Sequence, residues 1–189
     1  MPDPSTPPTE RPKLARARVP SRVLVHTGDG KGKTSAAMGI VMRAVARDWR
    51  VVVVQFVKDG RWRTGEESSA RSLGVEWWAA GDGFTWDSTD MERTEAVARA
   101  AWSAARELII AGEHRLVVLD EITYPINWGW IDGTEVVETI RDRPRHVNVI
   151  ATGRDAPAAL CDVADTVTEM ASVKHAFDDG VSAMKGIEY

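Results

Sequence analysis

Cysteine is almost missing from this 189-residue chain, where Cys161 stands alone. That excludes a disulfide framework within the chain and suits a reducing compartment. Cys161 lies in Ala158-Ala159-Leu160-Cys161-Asp162, a setting for a small buried thiol, not a nucleophile. Histidine is also scarce. His26, His114, His146 and His175 are scattered without metal-ligand spacing, so no zinc site is expected. No apolar run approaches the length of a membrane span, and the N-terminus lacks the apolar stretch of a signal peptide. The expected setting is therefore cytoplasmic, with no membrane partner. Basic residues are not in excess: Lys and Arg number 24 against 28 Asp and Glu, a formal net charge of −4. This leaves no overall footprint for nucleic acid. No Ser/His/Asp or Cys/His arrangement for covalent catalysis is evident.

What remains is ample material for one well-buried domain, at 43% hydrophobic content. Residues 1–20 stand apart. They carry Pro2, Pro4, Pro7, Pro8 and Pro12, then the basic run Arg11 to Arg18. Such a segment cannot bury enough apolar surface to fold alone, and a mobile N-terminal tail is expected, followed by a single domain over 21–189. No internal repeat is visible.

The chemistry concentrates in Val23-Leu24-Val25-His26-Thr27-Gly28-Asp29-Gly30-Lys31-Gly32-Lys33-Thr34-Ser35. A short aliphatic run enters a glycine-rich turn, and a helix-forming segment, Ala36 to Arg47, follows. Strand, glycine turn and helix in that order make a P-loop. Its backbone N–H groups and helix N-terminus suit a phosphate. Lys33 would reach the outer phosphates and the Thr34 hydroxyl would ligate magnesium. The usual spacing has glycine where Thr27 stands, and here the first glycine comes one place later.

Downstream, Ala37, Ile40, Val41, Ala44 and Val45 form a helical stripe, and Arg50 to Val57 reads as a strand buried on both faces. Thr64 and Glu67 have capping-box spacing for a short helix to about Leu73. A strand over Val75 to Trp78 and a glycine-rich loop, Gly81 to Trp86, come next. Thr89 and Glu92 repeat the box, opening a helix to about Ala111 with Ala98, Ala101, Ala105, Leu108 and Ile109 on one face. Arg115 to Glu121 is an aliphatic strand ending in Asp120-Glu121. This Walker B pattern places acid beside the metal and phosphates. Ile122 to Trp130 reads as an aromatic-rich connection containing Tyr124, Trp128 and Trp130. A helix over Thr134 to Asp142, a strand over Val147 to Thr152, a helix near Ala158 to Val163 and a strand over Thr166 to Met170 complete the order. Gly153-Arg154 ends the Val147 to Thr152 strand on the side facing the phosphates. A loop-like polar tail follows. The fold class expected is α/β: a P-loop NTPase-like, mostly parallel β-sheet flanked by helices on both faces.

The 8 tryptophans need a reason. Trp77, Trp78 and Trp102 are expected in the core. Phe84 and Trp86, on a glycine-flanked loop, are candidates for contact with a large, flat, apolar ligand. From the residues alone, a P-loop kinase or ATPase with Glu121 as base remains open, as does a non-catalytic carrier or regulator using the same pocket.

Six ordered segments carry a closer resemblance: Thr27 to Thr34, Val54-Gln55-Phe56-Val57-Lys58, Gly83-Phe84-Thr85-Trp86, Val118 to Tyr124, Thr152-Gly153-Arg154 and Val173-Lys174-His175-Ala176-Phe177. With the terminal Gly186-Ile187-Glu188-Tyr189, they resemble the P-loop ATP:corrinoid adenosyltransferases acting on cob(I)yrinic acid a,c-diamide and cob(I)alamin. The likeness covers roughly residues 22–189, and Thr27 is itself that family's form of the loop. It implies transfer of the 5′-deoxyadenosyl group of ATP to Co(I) of a corrinoid, with release of triphosphate, in adenosylcobalamin synthesis or salvage. By the same resemblance, Thr27, Gly28, Asp29, Gly30, Lys31, Gly32, Lys33, Thr34 and Ser35 would hold the nucleotide. Lys33 and Glu121 would serve catalysis, and Thr34, Glu121 and Asp120 would hold Mg²⁺ (or Mn²⁺). Arg43 and Arg154 would add charge around the phosphates, and Phe84 and Trp86 would sit against the corrin. A homodimer and a flavoprotein reductase partner are implied as well.

Overall fold

The computed structural model describes residues 17–59, 64–81 and 91–188. The chain runs β1 (Val23–Thr27), α1 (Lys33–Val45), β2 (Val51–Asp59), α2 (Gly65–Ser72), β3 (Glu76–Gly81) and α3 (Met91–Ala111). It continues through β4 (Leu116–Asp120), α4 (Thr123–Asn127), α5 (Gly133–Asp142), β5 (Asn148–Thr152), α6 (Ala158–Val163) and β6 (Thr166–Glu169). A 3₁₀ turn at Ala176–Asp179 follows.

The strands form one sheet in the order β3-β2-β4-β5-β1-β6. Among the described residues all five pairings are parallel, which meets the expectation of a mostly parallel sheet. Parallel strands need crossovers, and these place helices on both faces. Alternation along each strand divides the core accordingly. Val23, Val25, Val52, Val54, Val117, Leu119, Val149 and Ala151 pack under α3, α5 and α6. Val51, Val53, Leu116, Val118 and Ile150 pack under α1 and α2. The β6 edge is exposed throughout.

Local chemistry explains the helix boundaries. Thr64 caps α2 by accepting the Glu67 N–H at 3.3 Å, as the capping-box spacing predicts. Asp132 caps α5 by accepting the Thr134 N–H at 2.8 Å. The Thr89 box lies outside the described residues. α1 begins three residues before the expected Ala36: Gly32 is its N-cap and the Ala36 N–H bonds the Gly32 carbonyl at 2.7 Å. Lys33 and Thr34 therefore ride on the first turn of a helix and not on the loop. The expected stripe is in place, with Ala37, Met38, Val41 and Ala44 buried and Ile40 and Val45 packed beside them.

Two expectations need correction. The connection after Asp120 contains a short helix, α4, because Pro125 falls in the first turn, where its missing N–H costs nothing. Trp77 and Trp102 are buried as expected, but Trp78 is 36% exposed; its indole N–H donates to Glu76 Oε1 at 2.8 Å at the sheet edge. Cys161 is half-buried against the core, and burial raises its thiol pKa, so the nucleophilic thiolate is disfavoured. Among the described residues, no helix is long and apolar enough to cross a membrane.

The α5 packing face offers a check on this architecture. Ile140 is fully buried under the sheet, and Ile140→Ala is expected to cost about 2–5 kcal/mol in urea unfolding. Glu138→Ala on the exposed side of the same helix should shift stability by less than about 0.5 kcal/mol.

Candidate functional site

The carboxyl ends of β1, β4 and β5 bring the polar residues together. β1 ends at Thr27, whose side chain is already occupied: Thr27 Oγ1 accepts the Ala156 N–H at 3.1 Å. Position 27 is thus still strand, which explains why the first glycine comes one place later. Gly28 has φ +93°, and a Cβ there would fall 2.5 Å from the Met170 carbonyl oxygen. One at Gly30 would fall 2.6 Å from the Ala171 carbonyl oxygen. The Gly30 N–H donates to the Met170 carbonyl at 2.7 Å, and the Met170 N–H to the Thr27 carbonyl at 2.8 Å. Gly28 and Gly30 therefore serve close backbone packing against the chain leaving β6.

Lys33 folds back over this loop, its ammonium donating to the Gly28 carbonyl at 2.6 Å and the Gly30 carbonyl at 2.7 Å. Burial lowers its pKa, as does Arg154 nearby; the carboxylates of Asp29, Glu121 and Asp120 oppose this. Arg154 lies 3.8 Å from Asp29 in an exposed pair, and Lys31 lies 3.6 Å from Glu188. Screened pairs of this kind hold little energy. Ser35 faces solvent on the first turn of α1.

Asp120 is fully buried and fully engaged. Its Oδ1 accepts from Thr34 Oγ1 at 2.9 Å and Thr152 Oγ1 at 2.7 Å, and its Oδ2 accepts from Gln55 Nε2 at 2.9 Å. The parallel register sets Gln55 directly beside Asp120. Thr152 Oγ1 also accepts the Glu121 N–H at 2.9 Å. Glu121 itself has φ +63°, a left-handed conformation that an L-residue adopts at a cost of order 1–3 kcal/mol. Such strain fits a turn that must aim a carboxylate.

This arrangement suits a divalent cation. The Thr34 proton is committed to Asp120, which leaves the hydroxyl lone pairs for a metal, and the Glu121 carboxylate is near enough to act on the neighbouring Lys33 ammonium. Asp120, with three hydrogen bonds already accepted, orients Thr34 in this structure.

The comparisons with known proteins agree on one family. Residues 20–189 match the family model of ATP:corrinoid adenosyltransferase BtuR/CobO/CobP. The chain belongs to the ATP:corrinoid adenosyltransferases. A corrinoid adenosyltransferase of Pseudomonas aeruginosa is 44% identical over 180 residues, covering 94% of this chain and 88% of that protein. The corrinoid adenosyltransferase of Escherichia coli K12 is 42% identical, covering 88% of this chain and 85% of that protein. The Salmonella typhimurium corrinoid adenosyltransferase CobA matches at the same identity and coverage.

Of the adenosyltransferase site residues expected from sequence, the structure gathers Thr27 to Thr34, Asp120, Glu121 and Arg154 at one end of the sheet. Arg43 is not among them. It is exposed on the last turn of α1, ten residues beyond Lys33, or roughly 15 Å along the helix axis. Phe84 and Trp86 lie outside the described residues. Sequence reading passed over Gln55 and Thr152 as individual contributors. The signal was present: Gln55 interrupts a run of valines buried on both faces, and a buried amide there requires a polar partner.

Thr152→Val tests the network. It removes a donor to Asp120 and an acceptor for Glu121 N–H, and is expected to cost about 1–3 kcal/mol in urea unfolding. Thr152→Ser, which keeps the hydroxyl, should lose about 1 kcal/mol or less.

Proposed function

We propose that this adenosyltransferase moves the 5′-deoxyadenosyl group of ATP onto the Co(I) centre of a corrinoid, in adenosylcobalamin synthesis or salvage, with triphosphate as the leaving group. The cobalt electron pair forms the Co–C5′ bond, the C5′–O bond breaks, and its electrons leave with the triphosphate. Co(I) is oxidised to Co(III) in the same step. No side-chain nucleophile or base is required. The observation that supports this reading best is the convergence of Lys33, Thr34, Asp120, Glu121 and Arg154 on a phosphate loop in a chain of this family.

The protein's tasks are then positioning and charge. Backbone groups of Gly28 to Thr34 hold the triphosphate, with Asp29, Lys31 and Ser35 along its margin. Lys33 exchanges the carbonyls of Gly28 and Gly30 for phosphate oxygens and offsets the charge that develops as the C5′–O bond breaks. Arg154 is released from Asp29 to do the same. Thr34 and Glu121 are the candidate ligands for Mg²⁺ (or Mn²⁺), which would neutralise the leaving group's charge. Asp120 holds Thr34 in the orientation this needs.

We assign Phe84 and Trp86 to the lower face of the corrin, where they exclude an axial ligand and ease reduction of Co(II). A cytoplasmic setting, a homodimer and a flavoprotein electron donor complete the proposal.

One incubation tests it: protein, ATP, Mg²⁺ and a chemically reduced corrinoid. The expected products are inorganic triphosphate and a light-sensitive Co–C bond in equal amounts. Release of ADP would point to a kinase or ATPase, and binding without turnover to a carrier. Under the same conditions Glu121→Gln is expected to lower kcat by about 10²-fold. Trp86→Ala should impair turnover with corrinoid far more than ATP binding; equal losses of both would remove the corrin assignment.

A further inference from the structure

After β6 the chain comes back to the phosphate loop, where Glu188 pairs with Lys31. Residues 184–188 form a closed turn. The Ile187 and Glu188 N–H groups both donate to the Met184 carbonyl, at 3.1 and 2.8 Å. Gly186 supplies a φ of +85°; a Cβ there would meet nothing, so backbone conformation and not space calls for glycine. The two oxygens of Glu188 have separate partners. Its Oε2 accepts the Met184 N–H at 2.7 Å, and its Oε1 lies 3.6 Å from the Lys31 ammonium. We propose that this turn is a latch on the phosphate loop, in which Glu188 competes with phosphate for Lys31 and is released when the ligand binds. The latch rests on the reading that the loop holds triphosphate.

Three observations support it. The first is that the carboxylate is held before it meets the lysine. The bond from the Met184 N–H, and after it the charge of Lys31, lower the Glu188 pKa, so the group stays ionised as a competitor for an ammonium. The second is an anchor. An apolar groove of about 480 Å³ between α1 and α2 is lined by Met38, Val41, Met42, Ala70 and Leu73, and Ile187 completes its edge. Ile187 is still 76% exposed, so its side chain rests on the rim of the groove and has not entered it. Docking this shallow keeps the turn near Lys31 without fixing it there. The third is scale. A solvent-exposed ion pair is weak enough to be displaced, and a triphosphate brings several charges to the same lysine. Linkage then requires reciprocity: if the ligand opens the latch, the closed latch lowers the ligand's affinity by the same factor.

Calorimetric titration with inorganic triphosphate and Mg²⁺ reads the competition directly. Glu188→Gln keeps the shape of the side chain and removes its charge, and is expected to tighten triphosphate about threefold. The gain should vanish in a Lys31→Met background, where a general effect of charge would persist. Ile187→Ser, which removes only the anchor, is expected to bring part of the same gain and to add nothing to Glu188→Gln. In the wild-type protein, the Ile187 and Glu188 amides should lose protection from hydrogen exchange when triphosphate binds. Unchanged or weaker binding in Glu188→Gln overturns the latch. So does an equal gain in the Lys31→Met background, no effect of Ile187→Ser, or amides that keep or increase their protection. A wild-type protein that binds triphosphate yet transfers no adenosyl group loses the reading of function, while these measurements still decide the latch. One that binds no triphosphate loses both.

Discussion

The carboxylate of Asp120 is the point on which the site depends. It is buried at the end of β4, where an ionised group is costly unless its oxygens are bonded. Its three donors come from three other elements: Gln55 from β2, Thr152 from β5 and Thr34 from α1. One group therefore fixes the relative depth of three neighbouring strands and the phosphate-loop helix. Thr152 carries the constraint one residue further, because its oxygen also receives the Glu121 N–H. The backbone of one acid is thus tied through Thr152 to the carboxylate of the other.

The glycine-rich loop shows a second constraint of the same sort. Its shape answers to the chain that leaves β6. Met170 bonds Thr27 on one side and Gly30 on the other, so the exposed edge strand, otherwise poorly packed, has a task in bracing the loop. The displaced first glycine of this chain follows from Thr27 serving as the last strand residue and as a partner for Ala156.

Much of this was legible in the sequence, for physical reasons. Valine runs and helical stripes report burial directly, so β2, β4, α1 and α5 were readable to within a few residues. The Thr64 box stated its own cap. The short helix α4 was not readable, since five residues give no period and Pro125 with its aromatic neighbours resembles a loop. Trp78 was misplaced in the core because hydrophobicity does not reveal which strand ends at an edge. At the site, Lys33, Thr34, Asp120 and Glu121 could be named from spacing. Gln55 and Thr152 required the strand register, which spacing within one element does not contain. Arg43 was carried by resemblance, and the rise of a helix sets it far from the loop.

The seat of Lys33 has a consequence for selectivity. Its ammonium already holds two carbonyls of its own loop, so on the proposed role a nucleotide would enter by exchange, those two contacts giving way to phosphate contacts. The same applies to Arg154 with Asp29 and to Lys31 with Glu188. Each exchange has a fixed cost, whatever the ligand, and a return that grows with the number of phosphate oxygens. A monophosphate meets the cost with few charges, and a triphosphate with many. On the proposed role, the loop would act as a counter of charge, set against ligands too short to displace all of its internal partners.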